Sequence, residues 1–302
     1  MDSSSTFSLL RSRPWRDYAL LDTGDGAKLE RFGPYTFARP EVQAMWSPAL
    51  SKKEWDSADA VFQPTNEENG GHWLFRKKEL DRWQMRYDLP GGAPLRFWAM
   101  TTSGRHLGVF PEAAPHWDLI AASLKQSGRP AASVLNVFGY TGLATLAAAA
   151  AGAHVTHVDA SRKAVAWARE NQSLSDLAGK PVRWIVDDAL KFVEREGRRG
   201  ARYDGLILDP PKFGRGPKGE VWEAYKSLPR LLKSCAEILS DQPLFIILTV
   251  YAVKASAIHI AEALAEVTRP IHGKIELGEL VTPERSAGRL LSQAVFARWA
   301  SG

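Results

Sequence analysis

An acidic residue followed by two prolines is the first feature of this chain that could do chemistry. The apolar run "LIL" ends at Asp209, and Pro210, Pro211, Lys212 and Phe213 come directly after it. Each proline has a fixed φ angle, so the pair stiffens the loop and prevents a helix from starting there. A carboxyl group at such a strand end can accept a proton from a substrate. It can also do no more than shape the loop by accepting a backbone hydrogen bond.

Glycines or acids also follow the three preceding apolar runs. In "NVFGYTG", Gly139 and Gly142 allow a tight turn, and the helix beyond them offers free amide donors. Asp159 lies 20 residues after Gly139, where a carboxylate can accept both hydroxyls of a ribose. Asp187 and Asp188 follow the third run and could receive the amino group of an adenine or simply cap a helix. Together these positions predict a nucleoside site at one edge of a sheet.

Two well-known nucleotide-binding patterns are absent from the sequence. The glycine motif reads G-x-x-G, so the G-x-G-x-x-G fingerprint of dinucleotide enzymes is missing. The Walker lysine pattern is missing as well, which disfavours a triphosphate ligand. A nicotinamide-dependent dehydrogenase is therefore a poor interpretation of these strand ends.

The order of the apolar runs divides the chain into two parts. From residue 115 onward, apolar runs alternate with helical stretches, which predicts a mainly parallel sheet with helices on both faces. The last two runs have no helix between them, so we expect an antiparallel hairpin at one edge. Earlier residues form short aromatic-rich runs, with a hairpin turn at Asp25-Gly26. We therefore expect a β-rich domain over residues 1–114 and an α/β domain over residues 115–302.

The charge of the chain indicates a polyanionic partner such as nucleic acid. The net charge is +5 and the isoelectric point is about 9.3. Residues 1–117 have 15 basic and 15 acidic side chains, whereas residues 118–302 have 24 and 19, so we expect the basic surface in the second part. Some basic residues of the first part alternate with aromatic ones, which suits base stacking or a solvated strand face. These are Arg76, Lys77, Lys78, Arg82 and Arg86.

The composition is that of an ordinary globular protein. Of the 302 residues, 45% are hydrophobic and 24% are charged. No run approaches the ~20 apolar residues of a membrane-spanning helix, and the N-terminal residues lack the apolar core of a secretory signal. Cys235 is the single cysteine, so no disulfide can form within the chain. These features predict a cytoplasmic protein.

Four of the motifs, taken together, resemble a known family. In order and spacing, "VLNVFGYTG", "VDAS", "DDALKF" and "LDPPKFGRG" resemble class I S-adenosylmethionine-dependent methyltransferases. The resemblance covers about residues 105–260 and is strongest to the bacterial large-subunit rRNA methyltransferases that include cytosine carbon-5 and guanine nitrogen-7 enzymes. It implies a Rossmann-like, seven-stranded methyltransferase sheet, a smaller N-terminal β-rich domain that could recognise the substrate, and S-adenosylmethionine as the cofactor.

The resemblance also implies which residues bind the cofactor. In "HLGVFPE", Phe110 and Pro111 would place an aromatic ring over it. The residues that would border the methionine moiety and the ribose are Asn136, Phe138, Gly139, Tyr140, Thr141 and Gly142. Those that would hold the ribose hydroxyls and the adenine are Asp159, Ala160, Ser161, Asp187, Asp188 and Ala189. Asp209, Pro210 and Pro211 would line the side from which the substrate approaches the methyl group.

The position of the cysteine separates two chemistries. Carbon-5 of cytosine is a poor nucleophile, and enzymes that methylate it first add a cysteine thiolate to the ring. In the resembling enzymes this cysteine lies near the end of the fourth or fifth strand, where this chain reads "DPPKF" and "ILTVYAV". Cys235 lies instead in the middle of a predicted helix and is typical of a small packing residue. The sequence therefore favours methylation of a nitrogen, with Asp209 as a proton acceptor.

The loop after the prolines departs from the enzymes that methylate exocyclic amines. Those enzymes carry an aromatic residue directly after the double proline, whereas this chain has Lys212 there and Phe213 next. Phe213 could still stack on a base, and Lys212, Arg215 and Lys218 suit contacts with phosphates or with solvent alone. We expect methylation of large-subunit rRNA. The alternatives are a small-molecule or protein methyltransferase and an RNA-binding protein that has lost catalysis.

Overall fold

The computed structural model describes residues 6–65, 70–76, 80–251 and 254–301. Lys77 and Lys78 of the basic, aromatic-rich stretch lie outside these ranges. The remaining members of that stretch make local contacts. Arg76 and Arg86 pair with Asp56 and Asp88, and the guanidinium of Arg82 lies 4.3 Å from the ring centroid of Trp98. These contacts fit the solvated strand face.

The first part of the chain forms a β-rich domain. Its strands are β2 (Tyr18–Gly24), β3 (Ala27–Phe32), β4 (Tyr35–Pro40), β5 (Ala60–Pro64), β6 (Gly71–Phe75), β7 (Trp83–Tyr87) and β8 (Leu95–Ala99), with the short helix α1 (Lys52–Asp56) between β4 and β5. Strands β2 to β6 pair in chain order, and β7 pairs with β8. The predicted turn joins β2 to β3, with φ angles of 49° at Asp25 and 74° at Gly26.

Aromatic packing joins this domain to the rest of the protein. Trp15, Phe37, Trp83 and Phe97 are buried in one cluster, and their rings meet in tilted and stacked pairs. The same cluster includes Leu143, which belongs to the α/β domain. The hydrophobic contact across the domain boundary therefore holds the β-rich domain against the sheet that follows.

The second part of the chain builds the large sheet. Its strands are β9 (Ser133–Val137), β10 (His154–Asp159), β11 (Val182–Val186), β12 (Gly205–Leu208), β15 (Phe245–Val250), β16 (Lys274–Pro283) and β17 (Leu290–Ala300). The helices are α2 (Ala114–Ser127), α3 (Leu143–Ala150), α4 (Arg162–Leu174), α5 (Ala189–Arg198), α6 (Ala224–Glu237) and α7 (Ala257–Thr268). The predicted alternation of strands and helices is confirmed, apart from the segment between β12 and α6.

The order of the strands differs from the prediction at one edge. Among the described residues the sheet has eight strands in the order β1-β16-β17-β15-β12-β9-β10-β11, where β1 (Thr6–Arg11) comes from the start of the chain. β16 and β17 are antiparallel neighbours, as expected, but β1 pairs in parallel with β16 and takes the edge position. The seven expected strands are present. The eighth is β1, which precedes the proposed domain boundary at residue 114 but pairs with a strand beyond it.

A second difference lies in the loop after the double proline. This loop contains a small antiparallel hairpin of β13 (Phe213–Arg215) and β14 (Val221–Glu223). The sequence was read as a glycine-rich basic loop because each strand is only three residues long, too short for a recognisable alternation. The hairpin places the exposed residues of this loop beside the carboxyl ends of the central strands.

Candidate active site

A cleft opens at the carboxyl ends of β9, β12 and β15. About 550 Å³ of empty space, which includes open solvent at its mouth, lies between its walls. The predicted residues that line it are Phe110, Asn136, Phe138, Gly139, Tyr140, Thr141, Gly142 and Asp209. The residues that sequence reasoning did not identify are, among others, Val109, His116, Trp117, Ile247 and Thr249. The glycine motif and the acid before the prolines therefore meet in one cavity.

The loop after β9 has an unusual backbone. Phe138 has a φ of 59° and Tyr140 a φ of 48°, values that bulky residues rarely adopt, and Gly142 has a φ of 89°. A Cβ atom at Gly139 would lie 2.4 Å from Cε1 of His157, and one at Gly142 would lie 2.9 Å from Cβ of Ala168. Both glycines are thus required by close packing, and the strained loop is typical of a ligand site.

Side-chain hydrogen bonds hold this loop in place. Nδ2 of Asn136 donates to Oγ1 of Thr145 at 2.9 Å, and Oγ1 of Thr141 donates to the carbonyl oxygen of Gly108 at 2.6 Å. Nδ2 of Asn171 in α4 donates to the carbonyl oxygen of Thr141 at 3.0 Å. Asn136 and Thr141 therefore border the cleft while their side chains support the loop.

Asp159 is tied directly to the glycine loop. One carboxyl oxygen accepts a hydrogen bond of 2.9 Å from the backbone amide of Tyr140, and the other accepts one of 2.8 Å from the amide of Ser161. Burial raises the pKa of Asp159 above its ordinary value, although these two amides act in the opposite direction. Ala160 and Ser161 follow at the start of α4, where Oγ of Ser161 caps the helix.

The acids after β11 already have partners within the protein. Asp187 forms an ion pair with Arg195 and accepts a hydrogen bond of 2.9 Å from the amide of Asp188. Asp188 caps α5 by accepting a hydrogen bond of 2.9 Å from the amide of Lys191. The helix-cap alternative for Asp188 is therefore realised, and Ala189 is buried as the first residue of that helix. A contact of these residues with adenine stays a prediction.

Asp209 has no such partner. Its Oδ1 atom is buried and accepts no hydrogen bond among the described residues. Burial, together with the nearby carboxylate of Glu112, raises its pKa to about 8. A buried polar atom of this kind is rare in folded proteins, and its position in the cleft suits contact with a ligand. Glu112 is itself buried, and its pKa is also raised, chiefly by burial.

The double proline is held by a tryptophan that the sequence did not single out. Nε1 of Trp222 donates to the carbonyl oxygen of Pro211 at 2.7 Å, and its ring lies 4.8 Å from that of Phe138. Pro210 is buried and Pro211 is exposed. Trp222 therefore connects the loop after β12 to the loop after β9.

Phe110 and Pro111 lie at the entrance to the cleft. The ring of Phe110 is 5.6 Å from that of Tyr140 and 5.3 Å from that of Tyr251. Pro111 is buried at the start of a short 3-10 helix, Pro111–Ala113, and is not part of the lining. The hydroxyl of Tyr251 is buried without a hydrogen-bond partner among the described residues. The sequence motifs did not identify this residue.

The predicted substrate-binding residues lie on or beside the hairpin of β13 and β14. Phe213 is 54% exposed, and the guanidinium of Arg215 lies 6.0 Å from its ring centroid. Lys212 and Lys218 are also exposed. Glu220, directly before β14, pairs with Lys191 at 2.9 Å and so connects the hairpin to α5. These residues form an exposed, largely basic surface next to Pro211.

Cys235 does not line the cleft. It is 2% exposed and belongs to the hydrophobic core on the inner face of α6. Burial raises the pKa of its thiol to about 12, so the reactive thiolate is scarce at neutral pH. Its surroundings agree with a packing residue.

Comparison with known proteins identifies the class of this fold and then the family. The strand order, with a sheet whose carboxyl ends hold the glycine loop and Asp209, is that of the Rossmann-like methyltransferases. A Streptococcus mutans protein assigned to the S-adenosylmethionine-dependent methyltransferases has the same fold at 17% identity, with a TM-score of 0.69 over 94% of this chain and 75% of that one.

A second solved structure is much more similar. The S-adenosylmethionine-dependent methyltransferase from Agrobacterium tumefaciens is 43% identical, with a TM-score of 0.91, over 100% of this chain and 98% of that one. The present chain therefore belongs to the S-adenosylmethionine-dependent methyltransferases. No model of a known protein family matches it.

The curated relatives are similar over a shorter stretch. Ribosomal RNA large subunit methyltransferase K/L from Shewanella sp. (strain ANA-3) is 41% identical over 98 residues. The protein of that name from Syntrophotalea carbinolica is 42% identical over 90 residues. These matches span only 13% and 12% of the relatives' own lengths.

Among the helices that the structure describes, none combines the length and the apolar character needed to cross a bilayer.

Proposed function

We propose that the protein transfers a methyl group from S-adenosylmethionine to a base nitrogen of large-subunit rRNA, without a covalent cysteine adduct. The observation that carries this proposal is Asp209, a buried carboxyl group with an unpartnered oxygen in the cleft. The proposal joins this group to the exposed basic hairpin beside it. S-adenosylmethionine is the cofactor of the family to which the chain belongs. The proposal adds that the methyl acceptor is a base nitrogen and that the substrate is RNA.

The residues present fit the cofactor. The glycine loop lines a cleft in which buried polar atoms of Asp209 and His116 have no hydrogen-bond partner among the described residues. The loop from Asn136 to Gly142 would border the methionine moiety and ribose, and Phe110 would cover them. Asp159 would hold the ribose hydroxyls beside Ser161, while Asp188 and Ala189 would approach the adenine. When bound, S-adenosylmethionine supplies a methyl group on a sulfonium sulfur, which leaves as a neutral thioether.

Asp209 supplies the proton acceptor. When a nitrogen that carries a proton forms the new bond to carbon, that proton passes to the Asp209 carboxylate and then to solvent. With a pKa of about 8 the group is largely protonated at pH 7 in the free protein. A cation bound in the cleft favours the carboxylate form and lowers this pKa. The Asp209 carboxylate is therefore available as the proton acceptor when S-adenosylmethionine and the substrate are both bound.

A covalent mechanism lacks its nucleophile. Addition to carbon-5 of cytosine needs a thiolate that reaches the ring, and the single cysteine of the chain is buried on the inner face of α6 with a raised pKa. A nitrogen attacks through its own lone pair and needs only orientation. The position of Cys235 supports methylation at nitrogen.

The substrate assignment rests on the hairpin and on the curated relatives. Lys212, Arg215 and Lys218 suit phosphate contacts, and the exposed ring of Phe213 suits stacking on an unpaired base. The curated relatives are named as methyltransferases of large-subunit rRNA. The β-rich domain could add contacts to the RNA, although its basic residues Arg76, Arg82 and Arg86 are engaged in ion pairs.

Methylation by the purified protein tests the proposal. The protein is incubated with radiolabelled S-adenosylmethionine and either naked rRNA or large ribosomal subunits, and the labelled nucleoside is identified by chromatography. A nitrogen-methylated base is expected. Label on carbon-5 of cytosine would contradict the proposed chemistry, and label only on protein or on small molecules would contradict the RNA substrate.

A further inference from the structure

We propose that His116 binds the carboxylate at the amino-acid end of S-adenosylmethionine. The inference deepens the cofactor assignment and is independent of the RNA substrate. No motif pointed to this residue, because a lone histidine in a predicted helix has no signature of its own. Its role follows from its burial, its place in the cleft and the charges around it.

His116 is a buried polar residue without a partner. It lies in the first turn of α2, is 3% exposed and lines the cleft. Neither Nδ1 nor Nε2 has a hydrogen-bond partner among the described residues. Buried polar groups nearly always have partners, so an imidazole with two free nitrogens beside a cleft suits contact with a polar ligand group.

The strand order places His116 on the other side of the glycine loop from the residues predicted to hold the adenosine. Across the sheet the order is β15-β12-β9-β10-β11. Asp159 ends β10 and Asp188 follows β11, whereas His116 shares the cleft with Ile247 and Thr249 of β15. A nucleoside held at the β10 and β11 side, with the glycine loop at its middle, extends its tail toward β15. In S-adenosylmethionine that tail is the α-amino acid.

The surroundings of His116 favour a carboxylate over an ammonium group. Burial and the positive charge of Arg298 lower its pKa to about 3, so the ring is neutral at pH 7 and donates from one nitrogen. Arg298, which pairs with Glu276, is the charged residue that acts on it. On the β17 side the ring of Phe296 packs at 5.3 Å. The neutral ring can donate its N–H to a carboxylate oxygen, and the positive charge of Arg298, although offset by Glu276, favours that anion.

The other fully buried histidine shows what a purely structural role is like. His157 shares a hydrogen bond of 2.9 Å with Oγ1 of Thr145 and packs 4.7 Å from the ring of Trp184. It supports the glycine loop from behind, where a Cβ at Gly139 would strike it. His116 differs because both of its nitrogens are free and because it borders the cleft.

Two ligands that differ only at the amino-acid end test the inference. Calorimetry compares S-adenosylhomocysteine with methylthioadenosine, which has the same nucleoside but no carboxylate. His116→Leu should weaken binding of S-adenosylhomocysteine about tenfold to a hundredfold, the usual effect of losing a hydrogen bond to a charged group. Binding of methylthioadenosine should change less than twofold. His116→Gln, which keeps an N–H donor, should retain most of the affinity.

Controls separate this role from a structural one. Asp159→Ala should weaken both ligands, because it acts on the ribose that they share. If His116→Leu lost affinity equally for S-adenosylhomocysteine and methylthioadenosine, or lost affinity for neither, the inference would be overturned. If the wild-type protein does not bind S-adenosylhomocysteine, the cofactor assignment fails with it, whereas an RNA result of either kind leaves the inference intact.

A measurement on the wild-type protein avoids any question of folding. In protein labelled with ¹⁵N-histidine, S-adenosylhomocysteine should shift the His116 imidazole resonances, and methylthioadenosine should leave them in place. A shift with both ligands, or with neither, would show that the imidazole does not contact the amino-acid end. His157 provides the internal reference.

Discussion

Nε1 of Trp222 donates a 2.7 Å hydrogen bond to the carbonyl oxygen of Pro211, while its ring lies 4.8 Å from the ring of Phe138. One side chain thus fixes the distance between the loop that carries Asp209 and the loop that carries the glycines. Since methyl transfer depends on aligning a donor carbon with an attacking atom, we expect this contact to influence the geometry of the reaction.

Replacing Trp222 by phenylalanine should impair catalysis more than cofactor binding. The variant keeps an aromatic ring against Phe138 but loses the hydrogen bond to Pro211, at a cost of about 1 kcal/mol in stability. We expect kcat/KM for RNA to fall about tenfold, while affinity for S-adenosylhomocysteine changes little. Trp55→Phe is the matched control, because it removes a similar hydrogen bond to Asp22 in the β-rich domain. Equal activity losses in the two variants would contradict this role.

Asp159→Ala should remove most of the cofactor affinity. The carboxylate holds the amides of Tyr140 and Ser161 and is the predicted partner of the ribose, so its loss affects both the loop and the ligand. Calorimetry should show a decrease of about a hundredfold or more, as expected for several hydrogen bonds to a charged group. Asp176→Asn removes only an exposed ion pair with Arg96, keeps a side chain that tolerates the φ of 59° at this position, and should leave binding unchanged. Unchanged affinity in Asp159→Ala would remove Asp159 from the site.

Asp209 should make the free protein less stable as the pH rises. Its folded-state pKa is raised to about 8, so the folded protein holds a proton that the unfolded chain has already lost. The stability that this proton provides is complete below about pH 4 and is lost as the pH rises toward 8. Asp209→Asn should therefore match the wild type in thermal melts at low pH and exceed it by about 1–3 kcal/mol at pH 9.

The same substitution should abolish most of the methylation activity, since an amide cannot accept the proton. A less stable Asp209→Asn variant at pH 9 would mean that the carboxylate has favourable partners in the folded protein. Full activity in the variant would show that Asp209 is not the proton acceptor.

Cys235→Ser should retain methylation activity. Cys235 is buried in the core beneath α6, so a serine hydroxyl there should lower the stability by about 1–2 kcal/mol without affecting turnover at a permissive temperature. Cys235→Ala checks the same point without a buried hydroxyl. Loss of activity in both folded variants would restore the covalent mechanism.

The sequence was sufficient to predict the frame of the site. The apolar runs from β9 to β12 were each long enough to show strand character, and the residues that follow them had to meet at one edge because the strands are parallel. Gly139, Gly142 and Asp209 are predicted in this way, and they do line one cleft.

The residues that were missed depend on contacts between distant parts of the chain. β1 pairs with β16, so that Thr6 lies opposite Glu276, and nothing in six residues specifies such a partner. Trp222 and His116 are ordinary members of a strand and a helix, and only the fold places one against Pro211 and the other in the cleft. Local patterns report secondary structure, whereas these roles arise from tertiary packing.

The most direct measurement of the central claim is mass-spectrometric nucleoside analysis of large-subunit rRNA from a strain that lacks this protein. We predict the loss of a single modified nucleoside, methylated on a base nitrogen, and its return when the wild-type protein but not Asp209→Asn is supplied. An unchanged set of rRNA nucleosides would contradict the RNA substrate, and loss of a carbon-5-methylated cytidine would contradict the chemistry at nitrogen.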